Sequence, residues 1–359
     1  MSEDKLKAVR DRIDALDEQI QALINERAKC AQEVAALKNG NDAATFYRPE
    51  REAEILRKIL ARNQGPLSGE EMARLFREIM SACLALEQPL HIAYLGPEGT
   101  FTQAAALKHF GHSVQTDSHF SIDEVFREVE AGASQYGVVP VENSTEGVIT
   151  HTLDMFLNSP LKITGEVQLR IHHNLLSTVE SLNAVRRVYS HQQSLAQCRG
   201  WLDEHLAGVE RIAVSSNAEA ARLAAQDKEA AAIASRAAAD IYGLRVLVAN
   251  VEDEPDNTTR FIVIGREQVP PSGKDKTSLL LSATNKPGAL HSLLAPLAQH
   301  GISMTRIESR PSRRGVWEYV FFVDIEGHAA DARVAQALDE LRAEAAMLKV
   351  LGSYPRAIL

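Results

Sequence analysis

The stretch EPDNTTRFIVIG, residues 254–265, sets five polar side chains at 256–260 directly before an apolar run at 261–264. Four consecutive apolar residues closed by a glycine read as a strand covered on both faces. A strand needs no polar preface. Residues 256–260 are therefore either a turn or a set of hydrogen-bonding groups at the mouth of a sheet, where open sheets collect ligands.

The same grammar recurs outward from this strand. HIAYLG (91–96), YGVVPVEN (136–143), RRVYSH (186–191), RIAVSS (211–216) and AAIAS (231–235) read as short buried strands separated by helical stretches. Ser121 with Glu124 has capping-box spacing and Asn217 can cap another helix. This alternation predicts an α/β domain with a largely parallel sheet ending near Gly265. EQVPPSGKDK (267–276) reads as a linker. Beyond it the order is β-α-β-β-α-β, that of a ferredoxin-like α+β domain. Before residue 90 the chain is all-helical. Leu6, Val9, Ile13, Leu16, Ile20 and Leu23 alternate by three and four, a seam for another helix, and proline-free helix is predicted to about Lys38. Two further helices are expected from about Glu50 to Arg62 and from Gly69 to Leu86.

A chain of 359 residues favours two or three domains. The net charge of −9 does not advertise nucleic-acid binding. Cys30, Cys83 and Cys198 lack metal-ligand spacing and suit reduced thiols. The first residues have no apolar core and no apolar run approaches a membrane span of roughly 20 residues. The expectation is a cytoplasmic protein with no metal, cofactor, nucleic-acid or membrane partner.

Arg27 falls on a seam position of the first helix, where a guanidinium is costly unless paired. Lys38 lies roughly 16 Å further along and about 20° around, so both can lean toward one small dianion. Arg10 lies roughly 25 Å before Arg27 and can reach such a site only in a partner chain. The segments at 9–38, FYRPERE (46–52) and REIMSACLALEQ (77–88) resemble the all-helical chorismate mutases over residues 1–88. The resemblance implies an intertwined dimer in which Arg10 of one chain and Arg27 of the other clamp the substrate carboxylates. Lys38 would face the ether oxygen and Glu52 a hydroxyl, with Arg48, Cys83 and Glu87 also at the site. Arg48, Cys83 and Glu87 stand where the bacterial bifunctional pattern has aspartate, serine and glutamine.

Three strand-to-helix junctions flank the opening stretch: GPEGTF (96–101), ENSTEG (142–147) and SHQQS (190–194). Glycines permit close backbone approach there, and helix starts offer free N–H groups to an anion. The missing Lys-Ser/Thr of a phosphate loop argues against a nucleotide. With TTRF (258–261), these motifs closely resemble prephenate dehydratase over about residues 90–267. The resemblance implies two α/β lobes around a cleft, like type 2 periplasmic binding proteins. It makes Thr259 the residue required for dehydration, Thr100, Asn143, Ser144, Gln193 and Arg260 substrate contacts, and Glu142 or His191 the candidate proton source. His191 reads equally as a capping residue.

Residues 277–359 resemble the ACT domains of phenylalanine-regulated enzymes. Gly288, Ala289 and Leu290 of GALH, and Glu308, Ser309 and Arg310 of ESRP, correspond to the effector motifs. His291 replaces the valine of the first motif. The reading is a multidomain enzyme taking chorismate to prephenate and prephenate to phenylpyruvate, inhibited by L-phenylalanine, as a homodimer or higher homo-oligomer. Arogenate is the competing dehydratase substrate. The alternative from another class is a cytosolic solute-binding sensor carrying an amino-acid-binding domain.

Overall fold

The computed structural model describes residues 2–38, 47–283, 287–311 and 319–358. Three helices come first: α1 (Ser2–Lys38), α2 (Pro49–Arg62) and α3 (Gly69–Glu87). Pro49 at the first position of α2 has no N–H to leave unsatisfied, and Ser68 caps α3 by accepting from the Glu71 amide. The C-terminal half of α1 packs on α3, while residues 3–26 are solvent-exposed along both faces.

Two sheets follow. The first contains β1 (His91–Leu95), β2 (Gln115–His119), β3 (Tyr136–Asn143), β4 (Gly147–Val148), β5 (Lys162–Arg170) and, far along the chain, β11 (Thr258–Gly265), in the order β2-β1-β3-β11-β5 with β4 beside β3. Helices α4 (Phe101–Phe110), α5 (Ile122–Ala131) and α6 (Thr150–Met155) belong to this lobe. The second sheet contains β6 (Asn174–Ser177), β7 (Arg187–His191), β8 (Glu210–Val214), β9 (Ala230–Ala234) and β10 (Arg245–Val248), in the order β10-β6-β9-β7-β8. It carries α7 (Gln192–Gln197), α8 (Arg199–His205), α9 (Asn217–Ala224) and α10 (Arg236–Tyr242). The two α/β lobes that the resemblance implies are both present, and each sheet is mixed rather than largely parallel. β11 returns from the second lobe and runs antiparallel between β3 and β5. Sequence alternation cannot show such a return, because it depends on long-range pairing.

The last unit is β12 (Asp275–Ser282), α11 (Ala289–Gln299), β13 (Met304–Pro311), β14 (Tyr319–Glu326), α12 (Ala332–Glu344) and β15 (Met347–Pro355), an antiparallel sheet ordered β13-β14-β12-β15. The order matches the ferredoxin-like expectation. Its independence does not. Leu280, Val320, Phe322, Leu351 and Tyr354 share one buried cluster with Val139, Ile163 and Ile262 of the first lobe. A Cβ on Gly352 would lie 2.1 Å from the Ile163 carbonyl oxygen, so only glycine lets β15 approach β5 this closely. The supposed linker is likewise docked. Ser272, Asp275 and Lys276 are buried, Asp275 accepts from the Ser272 amide at 2.8 Å, and Arg57 of α2 donates to the Ser272 carbonyl at 2.6 Å. Proline and mixed charge mimic a linker but here serve a satisfied turn.

Candidate active sites

The sheet period of two sorts the residues around TTRF. Thr259 faces the cleft between the lobes, and so does Asn143, its partner in register on β3. The cleft holds about 410 Å³ and is also lined by Thr100, His191, Gln193 and Gln197. Asn143 Oδ1 accepts from the amides of Thr145 and Glu146, each at 3.0 Å. Its Nδ2 donates to Thr259 Oγ1 and to Asn257 Oδ1, each at 2.8 Å. Among the described residues the Thr259 hydroxyl oxygen is thus an acceptor only, and its own proton remains to be donated. Thr100 stands at the N-cap of α4, donating its hydroxyl to the Leu95 carbonyl at 3.2 Å. His191 caps α7 through Nδ1, which accepts from the Gln193 amide at 3.4 Å. The ring therefore caps the helix and also lines the cleft, so both of its readings stand.

Three expected substrate contacts do not reach the cleft. Arg260 and Glu142, one residue from Thr259 and Asn143, point to the opposite face because successive strand side chains alternate. Arg260 donates to Glu166 at 2.9 Å, to Asp324 at 2.6 Å and to the Tyr354 hydroxyl at 3.0 Å, tying β11 to the C-terminal unit. Burial alone would lower the Arg260 pKa, but Tyr354, Asp324 and Glu166 raise it well above its ordinary value. Glu142 lies 3.2 Å from Arg306 of β13 and 3.9 Å from Arg260, which removes it as the proton source. Ser144 exchanges hydrogen bonds with Thr258: its amide donates to the Thr258 carbonyl and its hydroxyl accepts from the Thr258 amide, each at 2.9 Å. It secures the strand ends rather than lining the cleft.

Three polar residues at the site were not singled out from the sequence, Glu146, Gln197 and His173, and they join Asn257 of the opening stretch. Glu146 reaches across from the first lobe to α7, accepting from Gln193 and, at 2.8 Å, from Gln197. Asn257 Nδ2 donates to Gln197 Oε1 at 3.2 Å, and His173 Nε2 lies 2.8 Å from the same oxygen. Burial lowers the His173 pKa, keeping the ring neutral. Asn257 and Glu146 sat inside quoted motifs and were legible. Gln197 lies one α7 turn beyond Gln193, a spacing that places it on the same face. His173 gave no signal, since it only precedes an ordinary strand. The Ser121–Glu124 cap is present, with Glu124 closing on the Phe120 amide. At α9 the cap is Ser216, while Asn217 instead accepts from Ser190 and His191 and donates to Ser194.

A second cavity of about 550 Å³ lies among the helices and gathers Arg27, Arg48, Glu52, Cys83 and Glu87. Arg48 is paired with Glu50 at 2.6 Å. Glu52 accepts from Arg77 at 3.2 Å, and burial raises its pKa against the opposing Arg77 charge. Cys83 is a free, buried thiol. Arg10 does not line the cavity. It sits on the exposed half of α1, where Leu6, Val9, Ile13, Leu16, Ile20 and Leu23 present an uncovered apolar stripe. Lys38 ends α1, and its side chain lies outside the described residues.

In the C-terminal unit, Gly288 caps α11 in the left-handed region, with Ala289 and Leu290 beginning the helix. Glu308, Ser309 and Arg310 lie on β13, the edge strand. Arg310 is taken up in an ion pair with the first lobe. It donates to both carboxylate oxygens of Asp154 on α6 at 3.0 Å.

Residues 92–269 match the prephenate dehydratase family, residues 9–88 chorismate mutase type II, and residues 277–343 the ACT domain. A bifunctional chorismate mutase/prephenate dehydratase from Stutzerimonas stutzeri is 60% identical over 365 residues, covering all of both chains. Among solved structures, a prephenate dehydratase in complex with L-Phe from Arthrobacter aurescens is similar at 35% identity and a TM-score of 0.70, over 75% of this chain and 90% of that one. A chain described as a novel type of quorum quenching acylase is similar at 33% identity and a TM-score of 0.68, over 75% of this chain and 98% of that one. One fold can host different chemistries, so the site has to decide between them.

Proposed function

The chain belongs to the bifunctional chorismate mutase/prephenate dehydratase family, and we propose how its residues divide the two reactions. Residues 1–88 rearrange chorismate to prephenate, residues 90–267 convert prephenate to phenylpyruvate with loss of water and carbon dioxide, and residues 277–359 take L-phenylalanine as inhibitor. The shared core between the last two is a regulatory contact within a single chain.

The first reaction is pericyclic and needs no nucleophile. The protein must hold the compact conformer and stabilise the charge that develops on the ether oxygen. Arg27 in the helical cavity binds a carboxylate, with Lys38 and Glu87 directed at the ether oxygen. Arg48, Glu52 and Cys83 complete the wall. Arg10 belongs to the cavity of a second copy. The exposed apolar stripe on α1 supports that assembly, since leaving six large side chains in water is costly while a second helix would bury them. The assembly is a homodimer or a higher homo-oligomer.

In dehydration the driving force is intrinsic, because the product ring is aromatic. The protein must assist departure of a hydroxyl while the carboxylate leaves. Thr259 is the orienting donor. The observation that carries this role is the Asn143 amide, which fixes the threonine oxygen as an acceptor and leaves its proton for the substrate. Thr100, Asn143, His191 and Gln193 hold the substrate, with His191 the remaining candidate proton source. Gly288, Ala289, Leu290, Glu308 and Ser309 form the effector site. The similar structure holding L-Phe supports this ligand. Among the described residues no helix is long and apolar enough to cross a membrane.

The test is incubation with chorismate, following prephenate and phenylpyruvate separately. Both should appear in sequence. Neither appearing would leave the solute-sensor reading.

A further inference from the structure

The amide orientations in the dehydration cleft are fixed by two independent anchors. At one end, the backbone amides of Thr145 and Glu146 are donors, so the Asn143 atom they meet is its oxygen. The other Asn143 terminus is therefore NH2, and the atom of Asn257 lying 2.8 Å from it is an oxygen. That makes the second Asn257 terminus NH2, and the Gln197 atom 3.2 Å away an oxygen. At the other end, the remaining Gln197 terminus meets the Glu146 carboxylate at 2.8 Å, which only an NH2 can do. The two ends agree. Gln197 Oε1 can then be approached by His173 Nε2, at 2.8 Å, only if that nitrogen carries a hydrogen.

His173 is 1% exposed, and among the described residues its Nδ1 has no hydrogen-bond partner. Its ring is held edge-on against Phe101, with centroids 5.6 Å apart, and its backbone amide donates to Glu252 at 2.9 Å. A buried histidine left with one bare nitrogen costs stability that an apolar residue of similar size would not. The other nitrogen is the last donor in a line ending at the Thr259 hydroxyl.

We infer that His173 is a positioning residue for dehydration: its Nε2–H pins the Gln197 carbonyl, and through Asn257 and Asn143 sets the direction of the Thr259 hydroxyl. This rests on the reading of Thr259 as the orienting donor. Without the imidazole donor, Gln197 Oε1 keeps only the longer 3.2 Å bond from Asn257, and the line through Asn257 to Asn143 loosens at its far end.

The experiment compares His173→Leu with His173→Gln, whose amide nitrogen can stand where Nε2 was. Dehydratase kcat and KM are measured beside mutase activity and thermal midpoint in the same preparations. His173→Leu should lower dehydratase kcat by about tenfold or more, a loss expected of lost orientation. KM, mutase activity and the midpoint should change little, and His173→Gln should recover most of kcat. An unchanged kcat in His173→Leu, or equal losses in both variants, overturns the inference. The 15N spectrum of the histidine-labelled wild type gives a measurement independent of any variant. It should show a neutral Nε2-protonated ring for His173, and an Nδ1-protonated ring overturns the inference. Thr259→Ala retaining full dehydratase activity would instead strike the reading beneath it.

Discussion

Thr259 and Arg260 are consecutive on β11 and serve opposite faces of one sheet. The Thr259 hydroxyl accepts from Asn143 at 2.8 Å in the cleft, and the Arg260 guanidinium donates to Asp324 of the C-terminal unit at 2.6 Å. Asn143 and Glu142 repeat the division on β3, with Glu142 facing Arg306 at 3.2 Å. A shift of the C-terminal sheet is therefore applied one residue away from each of the two cleft groups.

Thr259→Ala should lower phenylpyruvate formation by about a hundredfold or more, the scale on which a positioned proton donor contributes. Chorismate consumption should stay near normal, because the helical cavity is separate. Equal loss of both activities in a folded variant would contradict separate sites.

Arg10→Ala and Arg27→Ala should each remove mutase activity. Mixed and allowed to exchange subunits, they should recover roughly a quarter of it, since about half the dimers are mixed and each rebuilds one of two sites. No recovery after exchange has been verified by mass spectrometry would refute a site shared between chains.

Asp324→Asn should cost about 3 kcal/mol at neutral pH, the lower end for breaking a buried ion pair. Burial pushes this carboxyl up, but Arg260, Ser278 and Arg306 together hold it below its ordinary value of 3.8. A depressed acid contributes stability that is present above 3.8 and lost as pH falls through the folded value. Urea midpoints of wild type and variant should differ clearly at pH 7 and converge in acid. A constant gap would show that the carboxylate charge is not what stabilises the junction.

Glu87→Gln should remove whatever fall in mutase kcat/KM the wild type shows as pH rises. An ionised carboxylate cannot donate to the ether oxygen, whereas an amide donates at any pH. The dehydratase profile should not move. Superimposable mutase profiles would remove Glu87 from the ether oxygen.

Gly288→Val should abolish inhibition by L-phenylalanine while both activities persist. Gly288 has φ of 77° and open space where a Cβ would go, so the cost is confined to backbone strain at the start of α11. Undiminished inhibition would place the effector elsewhere.

The local order was legible in the sequence because its causes are local. The heptad of α1 fixes a helix, Pro49 and Ser68 fix helix starts, and the β-α-β-β-α-β order fixes the C-terminal sheet. The motifs around 100, 143, 191 and 259 marked a shared cleft, since all four lie where strands end. What tertiary structure alone decided is which side each residue serves. Arg260 and Glu142 read as substrate ligands because they adjoin Thr259 and Asn143, yet the period of two turns them toward Asp324 and Arg306. EQVPPSGKDK read as a free linker because proline and charge accompany both loops and satisfied turns, and only the packing of Lys276 on Glu166 distinguishes them. His173 and Gln197 lie 24 residues apart and meet only when the second lobe folds. Hydrogen-bond direction at a buried site is set by partners distant in sequence, so no local pattern can carry it.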